Sequence, residues 1–407
     1  MIKHYINVKG YSTRFIPTIN FCRIDEFLAI FSHNRKKFLK RVVIIGGGLA
    51  GLTCATQLVK AGIPCSIIEK KEYPFHRVCG EYISNEVVPF LKSANLFPAQ
   101  FSPPEIRTFL LSAVSGRKEI MPLDLGGFGI SRFTFDNFLY EKAKESGVVF
   151  YLNEEVNNVI FRGNDFQIHT LANELEADVV VGCFGKRSKM DRSLNRTFLD
   201  KRSPFVGVKY HVRCNHPDEL IALHNFPGGY CGMSNVEDKK TTLCYLTHRD
   251  NLKQHKNILS MERAVLFKNP LLRRIFTESE FLLEKPEVIN EVSFVTKSPL
   301  ENHILMAGDS AGMIAPLCGN GMAMAIHSAK ILSDLITKYW KENQSREWLE
   351  QNYVESWNRH FKKRLWMGRQ VQKLFGNSIT SQLAVNMAIN IRPLANAIIR
   401  NTHGEAF

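Results

Sequence analysis

The sequence predicts an α/β protein: a Rossmann-like domain, an inserted β-sheet segment and a helical C-terminal tail. Three observations carry this reading. Arg41–Ile45 is a short strand, apolar and β-branched after its first residue; Leu49–Ala61 reads as a helix; Cys65–Ile68 is the next strand, and the connections between them are short. Residues 203–300 turn strand-rich, with Val206–Val212, Leu220–His224 and Thr241–Thr247. The stretch from Glu347 to Arg400 reads as mostly helical.

Taken in order, residues 1–39 show no clear period, end in the basic run Asn34–Lys40 and read as an N-terminal extension, poorly ordered, outside the core. Gly62 stops the first helix, and Glu69 ends the second strand. Asn85–Ser93 reads as helical. Arg107–Ser112 and Lys118–Met121 flank Ser115–Gly116 as a hairpin, and Val156–Phe161 and Phe166–Thr170 flank Gly163–Asn164–Asp165 as another. Phe135–Ser146 is a helix closed by Gly147, and Asp178–Gly182 is a strand of buried type. A helical stretch follows near Met261–Phe276, then the strand Ile304–Ala307 and the helix Gly321–Tyr339. The expected division is a nucleotide-binding part from 40–84, 125–200 and 296–335, a substrate part from 85–124 and 201–295, and C-terminal helices over 336–407.

Composition sets outer limits. The 407 residues are 44% hydrophobic and carry a formal net charge of +14, a balance that favours anionic ligands. No zinc-finger spacing or aromatic-basic run points to nucleic acid, so a basic enzyme with dispersed Lys and Arg is the expectation. The nine cysteines form no CxxC pair and are odd in number, which fits a reducing compartment and neither a disulfide framework nor a metal site. The best apolar stretches, His303–Ile326 and Leu383–Ile399, are broken by Asp309 and by Arg392 and Pro393, short of the roughly 20 apolar residues of a span. No apolar core follows the first basic residue, so no signal peptide is read. The expected location is cytoplasmic. Peripheral membrane contact stays open, because His360–Lys373 sets Phe361, Leu365, Trp366 and Met367 among basic residues. The oligomeric state is not readable.

Gly46–Gly47–Gly48–Leu49–Ala50–Gly51 satisfies G-x-G-x-x-G between a strand and a helix, with an acid at the end of the following strand. Gly46 permits the tight turn, Gly48 lets backbone approach a pyrophosphate, and Gly51 lets the helix pack on the strand. Leu49 and Ala50 open the helix, whose free N–H groups and dipole face the phosphates. Glu69 is placed to accept from a ribose diol, with Lys70 beside it.

A second fingerprint lies far downstream. Ile304–Gly312 ends in Gly308–Asp309–Ser310–Ala311–Gly312, followed by Pro316–Leu317–Cys318–Gly319–Asn320–Gly321. Here the chain resembles flavoproteins of the aromatic-hydroxylase and geranylgeranyl-reductase superfamily, whose late motif reads G-D-[AS]-A-x-x-x-x-P-x-x-G-x-G. The resemblance covers roughly residues 40–335 and implies a three-layer FAD-binding domain of glutathione-reductase type. It implies that Asp309 holds the ribityl chain and that Pro316, Gly319, Asn320, Gly321 and Met322 lie at a helix start aimed at the flavin ring. Arg77–Glu81 matches a Cys-Gly element near the flavin, and Ser131–Asp136 resembles R-x-x-[FL]-D, which places Arg77, Cys79 and Arg132 at the cofactor. The family's A-D-G-x-x-S appears here as Cys183–Phe184–Gly185–Lys186–Arg187–Ser188, so Phe184 replaces the acid.

The form of the late motif is closer to the reductase branch, which reduces isolated C=C bonds of isoprenoid chains. The resemblance therefore implies reduction or dehydrogenation of a hydrophobic isoprenoid- or polyketide-like substrate, with NAD(P)H bound transiently as donor. The rival readings are an FAD monooxygenase acting on an aromatic or quinone-like compound and an electron-transfer flavoprotein; the W-x-W-x-I-P signature of flavin halogenases is absent. Phe226–Met233 is expected in the substrate platform. Cys79 fits two roles, a redox or proton-donating residue or a small packing residue, and His76 is a weaker acid candidate.

Overall fold

Val42–Ile45 is four apolar residues, all buried, and such a strand is stable only in the middle of a covered sheet. In the computed structural model of the chain, which describes residues 41–200 and 202–407, it lies between two parallel neighbours. Ile45 is in register with Ile68 of Cys65–Glu69 on one side and with Gly182 of Val179–Gly182 on the other. The six-stranded sheet runs Leu300–Glu301, Ile304–Met306, Val179–Gly182, Val42–Ile45, Cys65–Glu69, Val149–Leu152. The helix Leu49–Lys60 packs against Arg132–Glu145 and Gly321–Lys341. A three-stranded antiparallel sheet, Asn158–Phe161, Phe166–His169 and Glu174–Ala177, adds Phe166, Ile168 and Ala177 to the same core. The edge strand Val149–Leu152 has no counterpart in the sequence reading. Its residues are exposed or half-buried, so they carry no buried-strand signal. The expected extension 1–39 lies outside the described residues.

A second, nine-stranded sheet stands beside the first. Its path is Glu280–Phe281, Phe205–Arg213, Lys240–His248, Gly229–Val236, Leu220–Phe226, Glu105–Ser112, Lys118–Gly129, Tyr82–Ser84, with Glu287–Asn290 also paired to Phe205–Arg213. Lys118–Gly129 is one continuous strand that runs through the boundary expected at 124/125. Gly229–Val236 was not legible as a strand. Its Gly-Tyr-Cys-Gly-Met-Ser-Asn-Val composition is poor in strand formers, and it is held by hydrogen bonding to neighbours on both sides.

Period-two alternation splits this sheet into two faces. Leu110, Ala222 and Tyr245 join Met261 and Leu272 of the helices Ile258–Val265 and Pro270–Glu278. Their chain neighbours Leu111, Leu223 and Leu246 point the other way and pack with Ala384, Val385 and Ala388 of the C-terminal helix Ser378–Asn390. The tail is thus part of the core.

The helix Arg346–Gln372 buries Leu349, Tyr353, Trp357, Phe361, Arg364 and Gly368 at spacings of three and four, one stripe of the helix. Arg364 is charged on that apolar stripe and is neutralised by Glu86, whose side chain is fully buried, at 3.0 and 3.2 Å. Glu86 also accepts the Gly404 N–H and, through its backbone carbonyl, the Phe407 N–H at 3.1 Å. One carboxylate therefore secures the end of the chain. Glu86→Ala leaves a buried guanidinium unpaired and is expected to cost about 3–5 kcal/mol, read as a lower midpoint of urea unfolding. A loss under about 1 kcal/mol would show the pair to be dispensable.

Candidate active site

The glycine loop is shaped by close contacts. Gly46 sits at φ +105°, and a Cβ there would strike the Cys183 carbonyl. A Cβ on Gly51 would strike the Gly46 carbonyl, so Gly51 serves the approach of helix to turn and does not line the cavity. Gly48 is different: a Cβ there would meet only Arg132 Nη2, at 3.7 Å, and would project into the cavity. Gly48 caps the helix Leu49–Lys60 with no side-chain hydrogen bond and no acid in the first turn, so the helix N-terminus is open to an anion.

Glu69 is buried at the end of its strand and fixed from several sides. The Gly47 N–H donates to it at 2.8 Å, the Lys71 N–H at 3.1 Å, and Arg77 Nη2 lies at 3.4 Å. Arg77 Nε donates to Asp136 at 3.1 Å, and Arg132 holds Asp136 bidentately at 2.6 and 2.7 Å. Burial opposes the Arg132 charge, but Asp136 outweighs it and raises the pKa. The Arg132 N–H donates to Glu81 at 2.8 Å. Glu81, fully buried, also receives Lys209, His211 Nε2 at 2.6 Å and Thr242 Oγ1 at 2.6 Å. Burial pushes its carboxyl up, yet Lys209 and His211 prevail and hold it well below the usual range. Sequence reasoning missed this cluster, because Lys209, His211 and Thr242 lie 128 or more positions from Glu81 and no local pattern links them to it.

One cavity of about 650 Å³ runs from the glycine loop to the tail. Of the expected cofactor residues it is lined by Gly46, Gly48, Leu49, Ala50, Glu69, Lys70, Arg77, Cys79, Arg132, Gly308, Asp309, Pro316, Gly319, Gly321 and Met322. Asn320 is not among them. Its amide donates to the Thr402 carbonyl at 2.9 Å, so it fastens the tail. Asp309 is half-buried on the wall, and its carboxylate has no hydrogen-bond partner among the described residues. Burial raises its pKa, opposed by Lys297, Arg132 and Lys186. Gly319 turns at φ +65° against the Tyr82 ring, and the helix Gly321–Lys341 begins there with no side-chain cap and no acid in its first turn.

Phe184, Gly185, Lys186, Arg187 and Ser188 also line the cavity. The turn survives the loss of the family's acid, since the Gly185 N–H donates to Ser310 Oγ at 2.9 Å. Lys186, Arg187, Lys189 and Lys70 line this end together with Glu154 and Glu155; Lys70 and Lys189 pair with Glu155 at 4.0 and 2.6 Å and Arg187 with Glu291 at 2.7 Å, so the end is charged with both signs. The opposite end is apolar. Of the expected platform residues, Tyr230, Gly232 and Met233 line it, whereas Phe226 and Cys231 turn into the core below the sheet. Leu374, Phe375, Met387 and Ile398 of the tail complete the wall, a contribution the sequence did not announce.

Cys79 lines the cavity with its Sγ 3.2 Å from Met322 Sδ and accepts the Glu81 N–H at 3.5 Å. Burial pushes its thiol up, with Arg132 pulling the other way, so it is held as a neutral thiol rather than a thiolate. His76 stacks on Phe133 at 4.6 Å, and burial, Lys209 and His211 lower its pKa.

The open helix ends, the carboxylate at Glu69 and the unpartnered carboxylate at Asp309 sit along one cavity and match the parts of a dinucleotide: pyrophosphate, ribose and a second polyol. Fold and site thus define a flavin-dependent oxidoreductase of the Rossmann-like, two-sheet kind. The chain matches the FAD binding domain family over residues 40–363 and belongs to it. It is 22% identical over 359 residues to digeranylgeranylglycerophospholipid reductase 2 of Methanopyrus kandleri, covering 84% of this chain and 88% of the relative. It is 25% identical over 350 residues to a 1H-pyrrole-2-carbonyl peptidyl-carrier-protein chlorinase of Pseudomonas fluorescens, covering 74% and 76%. Among solved structures, a geranylgeranyl bacteriochlorophyll reductase-like protein from Thermoplasma acidophilum aligns with TM-score 0.71 at 17% identity, over 86% of this chain and 92% of that one. A flavin-dependent brominase aligns with TM-score 0.70 at 17% identity, over 88% and 92%.

Gly48→Ala is sterically free within the protein and is expected to leave the fold intact while lowering FAD occupancy about tenfold or more; Asp309→Ala is expected to lower it by a similar factor, since a lost hydrogen bond to a charged acceptor is worth about 1.5–3 kcal/mol. FAD released on denaturation, per mole of protein, measures both. Full occupancy in both variants would remove the loop and Asp309 from the site.

Proposed function

We propose that this oxidoreductase reduces a C=C bond of a hydrophobic, isoprenoid- or polyketide-like substrate. One observation carries the reading. Every cavity-lining residue supplied by the strands Glu105–Ser112, Lys118–Gly129, Leu220–Phe226, Gly229–Val236 and Lys240–His248, and by the tail from Val371 to Ile399, is uncharged. Such a wall favours an apolar chain and excludes water. The similarity to a digeranylgeranylglycerophospholipid reductase supports the same reading.

FAD would rest with its pyrophosphate on the Gly46–Gly51 turn and the helix behind it, its ribose at Glu69 and its ribityl chain at Asp309. When bound, it supplies hydride transfer. The chain's own residues orient the substrate on the apolar wall, keep water away and carry the balancing proton. Cys79, a neutral thiol on the cavity surface, is a candidate donor of that proton. Cys79→Ala with full turnover assigns Cys79 to packing alone; a loss of about tenfold or more at unchanged FAD content supports proton donation.

The aromatic lining Phe109, Tyr230 and Phe375 supports a second reading, FAD-dependent hydroxylation of an aromatic or quinone-like compound. Oxygen separates the two. The reduction reading expects product under strict anaerobiosis with no labelled oxygen incorporated. Product that requires O₂ and carries one labelled atom would overturn it.

The electron donor we propose is NAD(P)H, bound transiently at the charged end beside Lys186. Burial pushes Lys186 down to about 8, so its charge is present below that pH and lost as pH rises through it. The KM for NAD(P)H is expected to rise severalfold above pH 8, and Lys186→Met to abolish the pH dependence.

A further inference from the structure

The helix Ser378–Asn390 contains no charged residue. Its inner face is buried on the large sheet through Ala384, Val385 and Ala388, and Met387 lines the cavity. Its outer face opens with two aliphatics, Ile379 at 71% and Leu383 at 59% exposure, continues with the amides Asn386 and Asn390, and is followed by Ile391 at 50%. A helix whose outer face meets only water normally carries charge there. The preceding helix carries a basic stripe of its own. Lys362, Trp366 and Arg369, with Lys373 just past its end, follow at spacings of four, three and four, which sets them on one face, and Trp366 is 52% exposed. From Ser356 to Gly404 the chain holds eight Lys and Arg and no Asp or Glu.

We propose that this face docks on an anionic lipid surface, with Ile379, Leu383, Ile391 and Trp366 entering the headgroup boundary and Lys362, Arg369 and Lys373 meeting lipid phosphates. Exposed aliphatics, a Trp and a one-signed basic flank are the chemistry of interfacial helices. The same charge argues against a second copy of the chain as the occupant, because two acid-free basic segments would face each other. One helix then walls the cavity with Met387 and meets the lipid with Leu383, so a lipid-dissolved substrate would reach the site without crossing water. The docking stands on the surface alone; only this delivery step rests on the reduction reading.

The test is co-sedimentation of the full chain, loaded with FAD, with vesicles of phosphatidylcholine and phosphatidylglycerol, and with vesicles of phosphatidylcholine alone. Binding is expected to the anionic vesicles and to weaken with salt. It should fall about tenfold or more in the double variant Ile379→Asp/Leu383→Asp and again in Lys362→Glu/Lys373→Glu. None of these four residues lines the cavity, so unchanged FAD content reports intact folding. No binding of the wild type to anionic vesicles, or equal binding by both variants, overturns the proposal. So does a concentration-dependent dimer in sedimentation velocity that Ile379→Asp/Leu383→Asp dissolves, which would give the face to a second copy. Substrate turnover enters none of these readouts, so failure of docking and failure of the reduction reading are seen separately.

Discussion

The structure depends on one buried carboxylate. Glu81 lies between the two sheets at φ +57°, a left-handed backbone that a non-glycine residue adopts at a cost of about 1–3 kcal/mol. Four donors converge to hold it there: Lys209 and His211 from one strand of the large sheet, Thr242 from the next, and the N–H of Arg132 at the start of its helix. From Arg132 the chain of charges continues through Asp136, Arg77 and Glu69 to the N–H of Gly47. Three carboxylates thus face Lys209, Arg132 and Arg77 along a path from the large sheet to the nucleotide loop. Removing Glu81 leaves the fully buried Lys209 without its counter-charge, typically a matter of about 3–5 kcal/mol. The network ties the large sheet to the loop, and both line the cavity.

How much of this was legible in the sequence follows from how local each feature is. Gly46, Gly48 and Gly51 stand within six residues, and each answers to a backbone constraint that the coordinates show separately: a positive φ, an open approach, a close contact. Asp309 and Gly319 were legible for the same reason, as a short strand, a turn and a helix start in fixed succession. Glu81 was not. In the sequence it is one acid after a Cys-Gly pair, and its partners come from strands closed by hydrogen bonds far away in the chain. The strand Gly229–Val236 was hidden by composition, because its two glycines, serine and asparagine are weak strand formers and the pairing with two flanking strands holds it extended. Asn320 misled in the opposite way: it stands inside a cofactor motif, yet its amide is used to anchor Thr402.

The tail explains why the two ends of the cavity differ so strongly in chemistry. At the nucleotide end, backbone N–H groups and fixed carboxylates do the binding, and these are set by the turn geometry of the six-stranded sheet. At the other end the wall is assembled from side chains of the large sheet and of helices that arrive last in the chain. Those helices are held by Glu86, Arg364, Asn320 and Thr402, all outside the cavity-lining apolar surface except Thr402. Side chains such as Met387 or Phe375 can therefore change without disturbing either the anchor or the nucleotide loop. A fold built this way keeps its cofactor chemistry constant while the apolar wall sets what is presented to it. That division accounts for the chain's likeness in fold to both a reductase-like protein and a brominase, proteins whose names describe different reactions.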